Sequence, residues 1–307
     1  MIVCVSMNPS MDKALTTPAF SPDAPNRVTV ERLDLGGKGV NVARTLAALG
    51  EKTAYVGFDY RGAPVRKGLA DWPIALHTVP LDGELRTNIK LRDEKTGGTI
   101  EINERGAAVT KAQLDALGER LLALCGAGDY VIFSGSMPPG VPMETYRDWC
   151  RAVRAHGALP VADCDGAALA LALAAAPALI KPNAQEFFAL TGACAEADAQ
   201  ALEACRGLHA RGVGMVCLSR GPKGALLSVG GAAYACPAAD VPVRGVQGAG
   251  DAMLSGLVAA LRRGETPPAA LRYASAVAGA AVMRAGTQTA RAQDVEALLP
   301  QLSVRVL

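Results

Sequence analysis

RGVQGAGDAMLSGLVAALRR, residues 244–263, joins a glycine-rich turn to a helix-forming run. Met253, Leu254, Leu257, Val258 and Leu261 share one helical stripe, the face that a packed helix buries. Asp251 stands in the first turn, Arg262 and Arg263 in the last, and Gly264 follows as a C-cap, so charges and cap agree with the helix dipole. Gly248, Ala249 and Gly250 carry little side chain, so an anion can approach the N–H groups left open at the helix start. Asp251 beside them offers a carboxylate as a base. An anion hole next to an ionised base is what phosphoryl transfer to a hydroxyl requires. Taken singly, the motif reads more plainly as a glycine turn that starts a core helix, so the remaining sequence has to decide.

Working outward, residues 268–285 and 292–299 read as two further helices downstream. Upstream, 225–229 and 232–235 form an antiparallel pair, preceded by Arg220-Gly221-Pro222-Lys223-Gly224. Before them, helices at 111–124, 143–156, 167–175 and 198–211 alternate with short apolar strands at 130–133, 159–163, 179–181 and 215–219. That alternation predicts a parallel sheet covered on both faces. Glycines and polar residues collect where these strands end, at 134–140, 163–166 and 219–224, the edge at which open α/β sheets bind ligands.

Toward the N-terminus, 53–58 and 2–6 are further buried strands, and Asp12 is expected in the loop beyond Asn8-Pro9. Gly36-Gly37-Lys38-Gly39 opens a helix at 40–49. A lysine among glycines at a helix start suggests anion binding, although the spacing is not that of a P-loop and a solvated lysine in a tight turn explains it equally well. The strand at 85–92 sets Arg86, Asn88, Lys90 and Arg92 on one face and Leu85, Thr87, Ile89 and Leu91 on the other. Gly97-Gly98 turns it into 99–103. With an exposed strand at 27–31 this hairpin would make a small sheet standing off the core; a solvated edge strand would carry the same charges.

Composition narrows the field. A chain of 307 residues has room for one large α/β unit or two small ones with a buried core. A net charge of +2 gives no reason to expect nucleic acid or a membrane surface as partner. The eight cysteines are scattered singly with no CxxC pair, which predicts reduced thiols and neither a zinc site nor a disulfide frame. The first ten residues lack the basic start of a signal peptide, and the alanine-rich run at 167–178 is too short to cross a bilayer and is broken by Pro177, so a cytoplasmic protein is expected.

Four motifs stand in one order: GGKGVNVA (36–43), KPNAQEF (181–187), LSRGPKGAL (218–226) and GAGD (248–251), with SGSMPPG (134–140) among them. Together they resemble the PfkB, or ribokinase-like, family of sugar kinases over essentially the whole chain. NPSMD (8–12) and RTNIKL (86–91) further resemble the branch that acts on phosphorylated ketohexoses. The resemblance implies an α/β fold, a three-layer α/β/α sandwich with a mainly parallel central sheet and a small β-sheet lid. The core would take residues 1–12, 36–81 and 107–307, and the lid 13–35 and 82–106. It also implies an enzyme that uses ATP and Mg2+ to phosphorylate a ketohexose phosphate, fructose 1-phosphate ahead of tagatose 6-phosphate and fructose 6-phosphate.

Roles follow position by position. Asp251 would take the proton from the acceptor hydroxyl, and the N–H groups of Gly248, Ala249 and Gly250 would hold charge on the transferring phosphoryl group. Lys181, Asn183, Ser219, Gly221, Lys223 and Gly224 would hold ATP. Glu186 would reach Mg2+ through water, which suits an ion that dehydrates reluctantly. Asp12, Gly36, Gly37, Asn41 and Ser136 would bind the sugar, while Lys38, Arg86, Arg27 and Lys90 would grip the phosphate it already carries. Lids of this kind form dimer contacts, so a homodimer through strands 28–35 and 85–91 is expected.

The chain also departs from the pattern. Residues 244–248 read Arg-Gly-Val-Gln-Gly, without the aspartate that some relatives use near a monovalent cation, so no dedicated potassium site of that type is expected. Arg220 and Pro222 are unusual in the nucleotide loop. Two other classes compete. A dinucleotide-dependent dehydrogenase is disfavoured because no GxGxxG follows the first strand. A non-catalytic sugar or nucleotide sensor on the same fold is disfavoured by the presence of Asp251.

Overall fold

The computed structural model describes residues 1–164 and 166–307; Asp165, within the strand end expected at 163–166, lies outside the described residues. In chain order the strands are β1 (Ile2–Ser6), β2 (Ser10–Thr17), β3 (Thr29–Gly36), β4 (Thr53–Asp59), β5 (Ile74–Pro80), β6 (Thr87–Asp93), β7 (Thr99–Asn103), β8 (Tyr130–Gly135), β9 (Leu159–Cys164), β10 (Leu179–Ile180), β11 (Met215–Ser219), β12 (Ala225–Val229), β13 (Ala232–Cys236) and β14 (Arg305–Val306). The helices are α1 (Lys38–Ala48), α2 (Pro64–Leu69), α3 (Lys111–Leu124), α4 (Thr145–Ala155), α5 (Gly166–Ala172), α6 (Ala184–Thr191), α7 (Asp198–Ala210), α8 (Ala249–Arg262), α9 (Pro267–Val282) and α10 (Ala292–Leu298).

Ten strands form one sheet in the order β14-β13-β12-β11-β10-β9-β8-β1-β4-β5. From β11 to β5 every neighbouring pair is parallel; β12, β13 and β14 extend it antiparallel. β1 is buried at every position and so is β4, as the unbroken apolar runs demand of strands covered on both faces. The helices fall into two groups: α1, α8, α9 and α10 pack in succession, as do α3, α4, α5 and α6. The architecture is a helix–sheet–helix sandwich with the core on both sides of the central strands.

Helix α8 is buried at every residue from Asp251 to Ala260, whereas its pattern predicted one buried stripe. The reason is that α1 packs against it on one flank and α9 on another, and a helix apolar or small all round can be enclosed. Gly256 permits the α9 contact: a Cβ there would stand 2.9 Å from Val277 Cγ2 and 3.0 Å from Ala274 Cα.

A second sheet of four strands, in the order β3-β2-β6-β7, holds the hairpin foreseen at 85–103. Its second strand in that order, β2, pairs antiparallel with β3 and parallel with β6. Asp12 therefore lies on a strand and not in a loop, and residues 10–12 and Gly36, assigned to the core by sequence, belong to the small sheet. The run SMDKALTT hides this strand because it lacks apolar alternation and carries a register shift between Ala14 and Leu15. Strands β5 and β14 and helices α2 and α6 also lack a pattern strong enough to be foreseen.

Candidate active site

The ends of β1, β8, β10 and β11 open onto a cleft of about 1330 Å3 that residues of the small sheet also line. Gly248 caps α8 in the left-handed conformation (φ 73°), the backbone that a glycine adopts most readily. The N–H groups of Gly248, Gly250 and Asp251 have no backbone partner among the described residues, but that of Ala249 donates to the Val246 carbonyl at 3.3 Å. Of the three amides expected to form an anion hole, those of Gly248 and Gly250 are open, as is that of Asp251, whereas that of Ala249 is engaged in the turn. Below the turn lies the Lys181 ammonium: a Cβ on Gly250 would stand 3.1 Å from Lys181 Nζ.

Asp251 is only 7 % exposed. Asn41 Nδ2 donates to its Oδ2 at 2.8 Å. Burial, and next the charge of Asp163, push its carboxyl up to about 6, against the opposing pull of the Asn41 hydrogen bond, Lys181 and Lys38. A carboxylate so lifted is a stronger base that is still ionised at neutral pH. Lys181 is buried and pairs with Asp163 Oδ1 at 3.3 Å. Burial would lower the Lys181 ammonium, but the carboxylates of Asp163 and Asp251 outweigh it and hold the group above its ordinary value. Asp163 was not singled out in the sequence; its only signal was its place at the end of β9.

Lys38 was expected to join the phosphate grip. Its Nζ lines the cleft 3.6 Å from Glu186 Oε1 and 4.0 Å from Asp163 Oδ1, the carboxylate that also pairs with Lys181. The reason is the entry of α1 directly after Gly37, which brings the first helical residue to the ends of the central strands.

On the small-sheet side, Asp12 accepts from Ser10 Oγ at 2.7 Å and Asn88 Nδ2 at 3.1 Å. Gly36 gives it room, since a Cβ there would lie 2.3 Å from Asp12 Oδ2. Gly37 turns the chain with φ 98°. Among the described residues Asn41 Oδ1 is buried with no hydrogen-bond partner, an acceptor left open toward the cleft. Ser136 Oγ accepts from Asn8 Nδ2 at 3.1 Å. Arg86 donates to the carbonyls of Asn8 and Glu104 and to Asn88 Oδ1, which fixes its guanidinium at the cleft wall. Lys90 also lines the cleft, 4.0 Å from Glu101. Arg27 does not join them: it is exposed in the segment before β3 and lies outside the cleft lining.

On the other side, Asn183 caps α6 in a capping box, its side chain accepting from Glu186 N while Glu186 Oε2 accepts from Asn183 N. One Glu186 oxygen is therefore spent on the helix and the other faces Lys38. Ser219 and Asn183 are bridged side by side. Gly221 and Gly224 take positive φ, and at Gly224 a Cβ would collide with the Cys236 carbonyl at 2.1 Å. Lys223 departs from expectation: it pairs with Glu196 at 2.5 Å on the open surface and does not line the cleft. Ala238, Ala239, Val241, Ala278 and Val282 supply an apolar wall suited to a flat ring. Among the described residues no group of three or more His, Cys, Asp or Glu could hold a metal ion. No helix among them is long and apolar enough to cross a membrane.

The profile of the pfkB family carbohydrate kinase matches residues 2–294. The chain is similar to 1-phosphofructokinase of Rhodobacter capsulatus, 36% identical over 100% of this chain and 98% of that protein. It is 30% identical to 1-phosphofructokinase of Escherichia coli strain K12 over 99% and 98% of the two chains. Among solved structures, phosphofructokinase-2 from Escherichia coli in complex with substrates and products superposes with a TM-score of 0.90 at 26% identity, covering 98% of each chain.

Proposed function

The chain belongs to the pfkB family of carbohydrate kinases, and from that premise we propose that it transfers the γ-phosphoryl group of ATP to the 6-hydroxyl of fructose 1-phosphate, giving fructose 1,6-bisphosphate and ADP. One observation supports the phosphoryl transfer most directly: the lifted carboxylate of Asp251 stands at the mouth of the open Gly248–Gly250–Asp251 amides, with Lys181 below. Asp251 accepts the hydroxyl proton as that oxygen attacks the γ-phosphorus. The free amides, Lys181 and Lys38 hold charge building on the phosphoryl oxygens, in a site fixed before reaction. Asn41 orients Asp251 with its amide nitrogen and offers its vacant Oδ1 to the sugar.

Asp12, Gly36, Gly37 and Ser136 contact the sugar, and Arg86 and Lys90 face the phosphate it brings. Asn183, Ser219, Gly221 and Gly224 lie along the nucleotide, whose base rests on the apolar wall. The carboxylates around Lys38 suit a magnesium ion that arrives with the nucleotide: Glu186 keeps one oxygen toward the cleft, and no protein cage is needed for an ion that retains its waters. Bound there, magnesium would neutralise phosphate charge. The four-strand sheet serves as a lid over the acceptor, and its exposed Val30 (55 %), Leu33 (59 %) and Ile102 (55 %) are the contact of a homodimer.

A coupled ADP-release assay over a panel of free and phosphorylated ketohexoses tests this reading. Fructose 1-phosphate is expected to have the highest kcat/KM and free fructose a very low one. A higher value for tagatose 6-phosphate would overturn the acceptor assignment, and equal use of free fructose would remove the phosphate grip.

A further inference from the structure

Strand β3 carries a guanidinium that reaches out of the small sheet to the loop after α9. Arg32 Nη1 donates to the Ala285 carbonyl at 3.0 Å, a bond between residues 253 apart in sequence. Asp34, two residues on along the same strand, accepts from Arg32 Nε and, at 3.1 Å, from Nη2. The guanidinium is thus aimed by its own strand before it meets the loop after α9. Contact there is close. Gly286 has φ 63°, and a Cβ on it would lie 3.3 Å from Arg32 Nε and 3.4 Å from Cζ.

That loop touches the turn that opens α8. Arg244 N and Gly245 N donate to the Val282 carbonyl at 2.8 and 3.3 Å. A Cβ on Gly245 would meet Arg284 O at 3.2 Å and Gly286 N at 3.4 Å. Thr287 lines the cleft, with its Cγ2 3.9 Å from where a Cβ on Gly248 would stand. At its other end β3 finishes in Gly36 against Asp12, on the acceptor side. A single strand therefore touches the acceptor residues at Gly36 and, four residues earlier, the loop that backs the phosphoryl-binding amides.

We infer that Arg32 is a positioning residue that couples the acceptor-covering sheet to the anion hole, so that the Gly248, Gly250 and Asp251 amides take their working geometry only when the small sheet sits over the sugar. The inference rests on the phosphoryl-transfer reading above. It explains why a charged side chain is held at this spot: a rigid fork that donates to its own carboxylate and to a distant carbonyl fixes direction as well as distance. Displacement of the Gly248–Gly250 segment by a fraction of an ångström would leave binding nearly unchanged and slow the chemical step.

The test compares Arg32→Met, Arg32→Lys and Arg32→Ala with the wild-type enzyme, using fructose 1-phosphate and MgATP. Arg32→Met is expected to lower kcat by about tenfold to a hundredfold, the range for small misplacement of a reacting group, while both KM values move less than about threefold. Arg32→Lys should recover a large part of the loss, and guanidinium chloride below denaturing concentration should raise kcat of Arg32→Ala while leaving the wild type unimproved. Hydrogen exchange at amides 245–250 should be faster in Arg32→Met. An unchanged kcat, a loss confined to KM for the sugar phosphate, or a loss that neither lysine nor guanidinium relieves would overturn the inference. If the wild type turns over no ketohexose phosphate, the kinase reading fails instead, and unchanged exchange at 245–250 would then refute the coupling on its own terms.

Discussion

Asp251→Asn separates what a buried base contributes from what it costs. Burial and the neighbouring Asp163 lift the carboxyl from 3.8 to about 6. In the unfolded chain it titrates near 3.8, so between about pH 4 and 6 the native state holds a proton that the unfolded state has already released. The stability carried by that proton is fully present at low pH and is lost as pH rises through about 6. Above that, the wild type folds around a buried charge. A shift of roughly two units at about 1.4 kcal/mol each makes the penalty about 3 kcal/mol. Asparagine can still accept from Asn41 Nδ2 and carries no charge. Asp251→Asn should therefore be more stable than wild type by up to about 3 kcal/mol at pH 8, and by under about 1 kcal/mol at pH 4. Urea unfolding of both proteins from pH 4 to 8 reads this directly. Turnover should fall by about two to four orders of magnitude in the same variant, the range for a positioned general base. In the wild type, kcat/KM for the sugar should fall on the acid side with an apparent pKa near 6. A stability difference that stays flat with pH, or near wild-type turnover in the variant, would refute the reasoning.

Three further outcomes follow from the cleft. Arg86→Ala should raise KM for the sugar phosphate by about tenfold, roughly 1.4 kcal/mol, with KM for ATP nearly constant; steady-state kinetics in both substrates checks this, and an equal rise in both would speak for a purely structural arginine. Glu186→Gln keeps an acceptor for the Asn183 amide but loses its charge, so the magnesium concentration at half-maximal rate should rise, and an unchanged magnesium titration would leave Glu186 as a helix cap alone. Leu33→Asp should shift the sedimentation coefficient from dimer to monomer, whereas an unchanged coefficient would remove the small sheet as the dimer contact.

The elements that the sequence made legible are those whose patterns are local. Helix α8 announced itself through its stripe, first-turn Asp251 and C-terminal glycine, and the strand–helix alternation from Lys111 onward fixed the parallel sheet. Side-chain direction across the sheet was a different matter. Lys38 and Lys223 both read as phosphate ligands, yet one is held in the cleft by Glu186 and Asp163 and the other turns onto Glu196 at the surface, because each is decided by carboxylates distant in the chain. Asp163 gave no motif at all: its influence on Asp251 arises from proximity between the ends of β9 and α8. Strand β2 escaped notice because half-buried strands in a small sheet need not alternate.

The short links between the two sheets have a mechanical consequence. Three residues, Met7, Asn8 and Pro9, separate β1 from β2, and Gly37 alone separates β3 from α1. The pivot of any rotation of the small sheet about these links therefore runs close to Asp12 and Gly36, the residues proposed to hold the sugar. Strands of eight residues make a lever arm of about 26 Å. A swing of about 10° would carry the outer tip, around Pro22, through about 4–5 Å while Asp12 and Gly36 scarcely travel. In the proposed reading, such a gearing would let the outer rim sweep widely while Asp12 and Gly36 hold their place relative to Asp251.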